Sequence, residues 1–521
     1  MKQIAKALYL KSNDRTTKAL LIASYAVFLA CAIHTICVLF TLLCMPIFEM
    51  GTENISIASA QRVADGLPPV TRPDEIPNTI NSFAPFAWIL IAPILRLLNG
   101  EQVMAIATTG RLLVLIFVIL SIACMQAIGK RHFPEYSQLN IGYAIYFSLL
   151  FVAFPGSIFV FRPDMVATFF ELLSFSFVLR HLSADSGTVG FGVALTRTSP
   201  FRSPSRLGWA AVSASTAVAA KQNAIGVAFG TLLFLLSKAR FRSLLLYLAV
   251  FLLGIALWYG CFYLYLGDAL RETVLGSTAS ELIVGNIESA IDFTRKLIRE
   301  LGFGYLIFYI LGMHGLLLIW GHQRDIGKFT FACLSSSFVL ATIGQLKTGA
   351  WYNYHYTFFF LLSLPASLSI SFLLKETAQR NKLAITLLVA SSLSALLYLG
   401  QTLTLPFALA RSSSIDYEGA ARLLKKDFPS GFVYANNSEA NYLHNRALFT
   451  PWSEGTLGYS PGLSAAKERL RKKLSTQTIV AAVVAGDDCQ NWQPNGMFKD
   501  NIDHIRKLHA KLNRICIFEK R

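Results

Sequence analysis

Acidic side chains next to apolar segments are the first candidates for chemistry in this sequence. Glu49 and Glu53 lie four residues apart in FEMGTEN, so a helical turn would bring both carboxylates to one face. A third acid, Asp164, stands between Phe161 and the apolar run MVATFF. A carboxylate at the mouth of an apolar segment costs free energy unless it is paired, so Asp164 needs a partner or a function. Such carboxylates can accept a proton from a hydroxyl group.

Cations and aromatic rings also occur next to apolar segments. The cations could hold a phosphate group, and the rings could stack on a sugar. Lys221 is bordered on both sides by small apolar residues, in AAVSASTAVAA and NAIGVAFG. The complete set is Lys221, Arg162 and Lys347, with Tyr352, Tyr354 and His355 from the segment WYNYHY.

Each of these groups also has a plain structural explanation. The two glutamates could belong to a solvated loop, and Arg162 could pair with Asp164. Lys221 could extend its ammonium group to the membrane surface, and the aromatic segment could be an interfacial belt. Their coincidence favours chemistry, because acids, phosphate-binding cations and aromatic rings together suit a sugar donor whose leaving group is a lipid phosphate.

The composition places these groups in a membrane protein. Of the 521 residues, 54% are hydrophobic and 15% are charged, and the mean hydropathy is +0.49. Apolar stretches suited to crossing about 30 Å of hydrocarbon recur from residue 19 to about residue 405. The net charge of +17 is spread in short clusters between these stretches, which is typical of cytoplasmic loops and argues against a nucleic-acid surface.

The positive-inside rule predicts the topology of a polytopic α-helical membrane protein. The basic N-terminus lies in the cytoplasm and the C-terminus outside. Segment 209–237 counts as two short helices bent at Lys221, because a single helix would invert every later loop. About 11 spans are predicted, at 19–46, 104–129, 138–160, 165–182, 209–220, 223–237, 243–265, 301–320, 329–346, 355–374 and 383–405. Glu53, Asp164 and Lys221 then share the extracytoplasmic side, so the site is expected to face the periplasm or exterior. The expected location is the bacterial inner (plasma) membrane.

The first extracytoplasmic loop is predicted over residues 47–103, inside a membrane domain that covers 1–411. Its apolar stretch 84–99, APFAWILIAPILRLLN, is short and contains Pro85 and Pro93. If this stretch crossed the bilayer, the basic cluster at 130–132 would lie outside. The stretch is therefore predicted to form a juxtamembrane helix on the outer leaflet.

Residues 412–521 contain no spanning stretch and are predicted to form a small extracytoplasmic α/β domain. YEGAARLLKKDF and IDHIRKLHAKL have the period of amphipathic helices, and TIVAAVVAG is typical of a buried strand. Cys489 and Cys516 could form a disulfide in an oxidising compartment or remain free.

Several stretches together resemble the glycosyltransferase C superfamily, the polyprenyl-phosphate-sugar-dependent transferases that include protein O-mannosyltransferases and bacterial aminoarabinose transferases. FEMGTENISIASAQRVADGLPP resembles the first-loop pattern of that family, with Gly66, Pro68 and Pro69 at its end. SFAPFAWILIAPILRLLNG resembles the juxtamembrane helix, and Arg111 in TTGRLLVLIFV resembles the arginine that opens the second span. FRPDMVATFFELL and AAKQNAIG resemble two later stretches.

The resemblance implies an inverting transferase, in which an acceptor hydroxyl attacks a sugar on a polyprenyl phosphate and a first-loop carboxylate acts as general base. Glu53 matches that carboxylate best, because it stands 13 residues before Gly66. Many relatives carry Asp where Thr52 stands here, so Glu49 or Asp164 would supply the second acid. The donor phosphate would be held by Lys221, Arg162 and Lys347.

The resemblance also implies the partners: a polyprenyl-phosphate sugar as donor, a lipid, glycan or protein as acceptor, and surrounding membrane lipids. Some relatives use a divalent metal ion, and no ligand spacing in this sequence decides that question. The alternative function is a transporter or flippase of a lipid-linked saccharide. That class more often shows internal repeats and charges at the bilayer midplane. Here the ionisable groups lie at the outer boundary, which favours the transferase.

Overall fold

The computed structural model describes the helical body of the chain and parts of its C-terminal region. The described residues are 15–44, 51–76, 78, 79, 81, 83–97, 103–154, 157–185, 202–275, 295, 305–345, 352–378, 382–412, 417–435, 443, 447, 468–470, 472–473, 479–485, 505–507 and 515–520. Glu49 and Lys347, and the side chains of Tyr352, Cys489 and Cys516, lie outside this description.

Helices dominate the described ranges. They are α1 Arg15–Cys44, α2 Gly51–Ala64, α3 Phe86–Leu97, α4 Val103–His132, α5 Leu139–Ala153, α6 Asp164–Asp185, α7 Arg202–Ala220, α8 Gly226–Ser237, α9 Phe241–Leu266, α10 Leu306–His322, α11 Arg324–Gln345, α12 Tyr356–Ala378, α13 Lys382–Thr402, α14 Leu405–Ser412 and α15 Tyr417–Asp427. A π-helical turn covers Leu270–Leu275, and a 3₁₀ turn, Tyr352–His355, leads into α12.

The chain is a polytopic helical membrane protein. Among the described residues, seven helices are long and apolar enough to cross a membrane: α1, α4, α6, α9, α11, α12 and α13. Helices α3, α5, α8 and α10 are apolar but shorter. Each of the predicted spans coincides with one described helix, whereas their number and orientation in a bilayer remain predictions.

Helix α12 lies at the centre of the bundle. Its apolar stretch is 94% buried, against 11% for α9, so α12 packs on protein and α9 presents its surface outward. Small residues allow the close approach to α12: a Cβ atom at Gly315 of α10 would collide with the Pro365 backbone, and one at Gly142 of α5 would collide with Ser367. Small residues at helix contacts are the usual means of packing in membranes.

The first loop contains two helices, α2 and α3. Helix α2 ends at Ala64. Gly66 follows with a positive φ of 79°, which suits glycine, and the amide of Leu67 donates to the carbonyl of Arg62 over 2.8 Å. Helix α3 lies within the stretch 84–99, and its juxtamembrane position stays a prediction. It buries Trp88 and Leu95 and exposes the opposite face, as expected of a helix at an apolar boundary.

The segment predicted as two short helices is indeed broken. Helix α7 ends at Ala220, and α8 begins at Gly226. The break places Lys221 at a helix end inside the bundle, where it is 5% exposed. A cation in this position needs an anionic partner.

The C-terminal region forms a four-stranded sheet in the order β1-β2-β4-β3, with β1 Phe432–Ala435, β2 Ile479–Ala485, β3 Ile505–Lys507 and β4 Ile515–Lys520. Strands β1 and β2 are parallel, and β4 runs antiparallel to β2 and β3. The predicted strand TIVAAVVAG and the predicted helix YEGAARLLKKDF are confirmed. The helix predicted for IDHIRKLHAKL is wrong over Ile505–Lys507, because backbone pairing with β4 overrides a short amphipathic pattern.

A charged cluster ties the C-terminal region to the first loop. Asp74 is 5% exposed and lies 3.2 Å from Arg469 Nε and 3.4 Å from Lys473 Nζ. The same lysine donates to the backbone carbonyl of Asp74 over 2.8 Å. Glu272 of the π-helical turn forms ion pairs with Arg469 at 3.6 Å and with Arg72 at 3.7 Å. The cluster therefore joins three segments that are distant in sequence.

Asp74 gives this contact a defined pH dependence. Burial alone would raise the pKa of its carboxyl, but the hydrogen bond from Arg469 and the charges of Lys473 and Arg72 outweigh burial and lower the pKa. The stabilisation is thus present above the unfolded pKa and is lost as the pH falls through the lowered folded value. We expect amide-exchange protection at 468–473 to decrease on acidification below about pH 4.

Hydrogen-exchange mass spectrometry across that pH range measures this protection. The Asp74→Asn variant is the reference, because it should lack the added protection already at neutral pH. Equal protection in the variant and the wild type at neutral pH would contradict the assignment.

Candidate active site

Glu53 and Arg111 form a completely buried ion pair. Both side chains have 0% exposure, and the guanidinium of Arg111 holds both carboxylate oxygens of Glu53, each over 2.8 Å. Arg111 Nη1 also donates to the carbonyl of Leu42. This two-pronged geometry is the strongest form of such a pair. It joins the start of α2 to α4 and the end of α1.

The same pair positions the loop before α6. The amide of Phe161 donates to Glu53 Oε1 over 2.9 Å. The Phe161 ring packs edge-on against Trp88 of α3, with 5.3 Å between ring centroids, and it lies so close to Gly110 that no larger residue fits there. Glu53, predicted as the general base, therefore has its oxygens engaged by the protein and anchors this loop. Its catalytic role remains a prediction that this geometry does not favour.

The buried Glu53–Arg111 pair should contribute to the free energy of unfolding. Arg111→Met leaves the Glu53 carboxylate buried without its cation, so we expect a loss of about 3–5 kcal/mol in the free energy of unfolding. Denaturant or thermal unfolding in detergent micelles measures it. The double variant Glu53→Gln/Arg111→Met should recover part of the loss.

Lys238→Met is the control, because its pair with Asp325 is partly exposed and should contribute at most about 1 kcal/mol. A loss for Arg111→Met no larger than this control would contradict a tightly buried pair.

Asp164 and Lys221 form a second buried ion pair, at the meeting point of α6, the α7–α8 break and the turn before α12. Asn353 Nδ2 donates to the same carboxylate oxygen of Asp164 over 2.7 Å. The Lys221 ammonium also lies 4.4 Å from the centroid of the Tyr354 ring, a cation–π contact. Three residues predicted from the sequence thus come together here, Asp164, Lys221 and Tyr354.

Local structure explains how these groups meet. Asp164 is the first residue of α6, where the helix dipole favours a negative charge. Lys221 directly follows α7, and Asn353 and Tyr354 belong to the 3₁₀ turn. The structure does not pair Arg162 with Asp164, which was the structural alternative considered from the sequence. Asp164 Oδ2 is buried and has no hydrogen-bond partner among the described residues.

Arg162 is the unusual cation of the site. Its side chain is buried, at 5% exposure, and its Nε atom has no hydrogen-bond partner in the described part of the chain. No described carboxylate forms an ion pair with it. A buried guanidinium without an anion is costly, so this position suits an anionic ligand.

A small polar cavity lies beside the Asp164–Lys221 pair. Its volume is about 30 Å³, and Asp164, Lys221, Asn353 and Tyr354 contribute to its wall together with Glu171. Glu171 is absent from the residues predicted from the sequence. The signal that could have found it is an acid inside the apolar run MVATFFELLSF, since ionisable residues within membrane helices are expensive and usually functional.

The remaining predicted residues within the described ranges are His355 and Tyr352. His355 is fully buried, and its Nε2 atom lies 3.4 Å from Thr342 Oγ1. Tyr352 begins the 3₁₀ turn.

The site offers a poor donor set for a divalent metal ion. Within the described ranges, no three His, Cys, Asp or Glu side chains come together as ligands. In the cavity wall, the carboxylate of Asp164 is already paired with the ammonium of Lys221. These residues therefore do not fit a metal site, and no step of the reaction proposed below passes through one.

An apolar groove of about 700 Å³ runs along α3. One residue of its wall, Ile89, follows Trp88 in the sequence. The wall consists of Val63, Ile89, Ala92, Pro93, Arg96, Leu97 and Tyr265. Such a groove matches an extended hydrocarbon chain.

Solved structures with a similar fold are membrane glycosyltransferases. ArnT from Cupriavidus metallidurans, solved bound to undecaprenyl phosphate, is 12% identical with a TM-score of 0.60, and the match covers 96% of this chain and 98% of ArnT. The oligosaccharyltransferase of Archaeoglobus fulgidus in its apo form is 11% identical with a TM-score of 0.51, covering 89% of this chain and 69% of that one. The same archaeal enzyme, AglB, in complex with an inhibitory peptide and a dolichol-phosphate gives the same values.

The chain therefore has the GT-C fold of these proteins, and the resemblance predicted from its motifs is confirmed at the level of the fold. No protein-family model matches the sequence. No curated protein matches it either.

Proposed function

We propose that this protein transfers a sugar, with inversion, from a polyprenyl-phosphate donor to an acceptor hydroxyl at the extracytoplasmic face of the membrane. The observation that carries the proposal is Arg162, a buried guanidinium without an anionic partner among the described residues, two positions from the Asp164–Lys221 pair. A lipid phosphate would supply the missing negative charge.

The donor would lie along α3. Its phosphate would lie at Arg162, and its isoprenoid chain would follow the apolar groove along α3. Lys221, which pairs with Asp164, would add a second positive charge near the leaving group. The solved relatives of this fold include one bound to undecaprenyl phosphate and one bound to a dolichol-phosphate, which supports a lipid phosphate as the ligand class.

Asp164 is the carboxylate best placed to accept the proton. One of its oxygens is held by Lys221 and Asn353, and the other has no described partner. The acceptor oxygen forms a bond to the anomeric carbon as the bond from that carbon to the phosphate oxygen breaks. The electron pair leaves with the phosphate, where Arg162 and Lys221 stabilise the developing charge, and the hydroxyl proton passes to Asp164.

The aromatic turn would contact the sugar or the acceptor. Tyr354 and His355 border the pair, and Tyr352 opens the turn. The acceptor is a hydroxyl on a lipid, glycan or protein. Placement of the site on the periplasmic or exterior side rests on the distribution of Lys and Arg between the apolar segments.

A transfer assay tests the function. Purified protein in vesicles is incubated with a panel of polyprenyl-phosphate sugars and membrane extract, and products are identified by mass spectrometry. We expect one donor to lose its sugar and yield free polyprenyl phosphate. If no donor reacts but an intact donor crosses the vesicle bilayer, the protein is a flippase and the proposal is wrong.

A further inference from the structure

A second acid, Glu171, lies two turns into α6 on the same face as Asp164. Their separation of seven residues corresponds to about 10 Å along the helix axis. Both line the 30 Å³ cavity. Glu171 is buried within a membrane-length apolar helix, at 3% exposure, and the reaction described above makes no use of it.

Glu171 is held in a fixed position. The amide of Val227, in the first turn of α8, donates to its Oε1 over 3.1 Å, and Thr357 Oγ1 of α12 donates to its Oε2 over 2.5 Å. The N-terminal end of α8 carries a partial positive charge that favours a carboxylate. Thr357 Oγ1 lies 3.2 Å from Thr168 Oγ1, which completes the polar wall between the two acids.

Two buried polar atoms of the cavity wall have no hydrogen-bond partner among the described residues. They are Asp164 Oδ2 and Ser337 Oγ. One is an acceptor, and the other is a hydroxyl that can donate or accept. A polar cavity of this volume holds one or two water molecules, which satisfy such atoms. A water bound here would contact Asp164 and could link it to the other residues of the cavity wall.

We propose that Glu171 is the terminal proton acceptor of the site and receives, through the cavity water, the proton that Asp164 takes from the acceptor hydroxyl. The inference rests on the proposed function. In the second step, the O–H bond on Asp164 breaks, the water accepts that proton and gives one of its own to Glu171, and a new O–H bond forms there. Asp164 returns to the carboxylate form that pairs with Lys221.

The surroundings of Glu171 suit this role. Among the described residues, Lys221 at the break, Tyr247 on α9 and Cys333 on α11 interact electrostatically with Glu171. Asp164 on the same helix and Tyr354 of the 3₁₀ turn share the cavity wall with it. Lys221 is the cation of this group, and it remains beside the carboxylates throughout the transfer. The proton therefore moves between two acids that share one positive charge.

The test compares wild-type protein with Glu171→Gln, a variant that keeps the shape of the side chain and removes the proton acceptor. We expect kcat to fall by about 10²-fold with KM for the donor within about twofold of wild type. The acid limb of the kcat–pH profile should lose one ionisation. Glu171→Asp should retain part of the activity, and Glu135→Gln, a surface acid remote from the cavity, should behave as wild type.

A second variant distinguishes an effect on catalysis from an effect of misfolding. Ser337→Ala removes a partner of the water and leaves both acids intact, and it should lower kcat by about 10-fold. If Glu171→Gln lowers only the melting temperature and retains the wild-type kcat and pH profile, Glu171 anchors α8 and the relay is wrong while the transferase stands. Wild-type protein that transfers no sugar from any donor overturns the proposed function, and the relay with it.

Discussion

Asp164→Asn is expected to lower kcat for sugar transfer by about 10²–10⁴-fold, the usual contribution of a positioned general base. Asn has the same size and can still accept a hydrogen bond from Lys221, but it cannot take the proton of the acceptor hydroxyl. The substitution therefore keeps the shape of the side chain and removes only its ability to take up the proton. Initial rates with labelled donor in vesicles measure the effect.

The control for this substitution is Asp325→Asn. Asp325 also pairs with a lysine, Lys238, but its side chain is 51% exposed and belongs to a different part of the bundle. Activity should be unchanged there. Because Asp164→Asn leaves Lys221 without its anion, melting temperatures of both variants must be recorded as well. A folded Asp164→Asn protein with wild-type kcat would remove Asp164 from the reaction and return Glu53 or Glu49 to consideration.

Arg162→Met is expected to lower kcat/KM by about 10²–10³-fold, because the guanidinium stabilises both the bound phosphate and the charge that develops on it. Arg162→Lys should recover only part of the loss, since an ammonium group cannot make the paired hydrogen bonds of a guanidinium. Equilibrium binding of radiolabelled polyprenyl phosphate to the purified protein separates the binding contribution from the chemical step.

Replacing each of the two buried arginines by Met should affect the melting temperature differently. Arg162 has no anionic partner among the described residues, so its replacement by Met strands no carboxylate and should leave the melting temperature unchanged or higher. Arg111→Met strands Glu53 and should lower it. A strongly destabilised Arg162→Met protein with normal donor binding would show that Arg162 is structural.

Apolar length and the distribution of Lys and Arg predicted most of the helices of this fold. The stretch 84–99 with its two prolines predicted α3, and the break at Lys221 was predicted because a single helix over 209–237 would invert every later loop. Position along the bundle then placed Asp164 and Lys221 on the same side. Their direct contact was not predicted, because 57 residues separate them in the sequence.

Partners that come from distant segments could not be predicted in this way. Glu53 and Arg111 are 58 residues apart, and nothing in either neighbourhood specifies that they meet. In the sequence, Glu171 is a single polar residue within an apolar helix. Its hydrogen-bond partners, Val227 and Thr357, come from distant segments. At Ile505–Lys507, a helical pattern gave way to pairing with β4, a contact made with another segment.

A donor labelled in two places tests the central claim most directly. The sugar carries tritium and the phosphate of the polyprenyl carrier carries a radioactive phosphorus isotope, and both labels are followed after incubation with protein and acceptor. Glycosyl transfer at the Arg162–Asp164–Lys221 site predicts that the tritium moves to the acceptor while the phosphorus stays on the lipid as polyprenyl phosphate. Both labels on the acceptor, or both on an intact donor that has only crossed the bilayer, would contradict it.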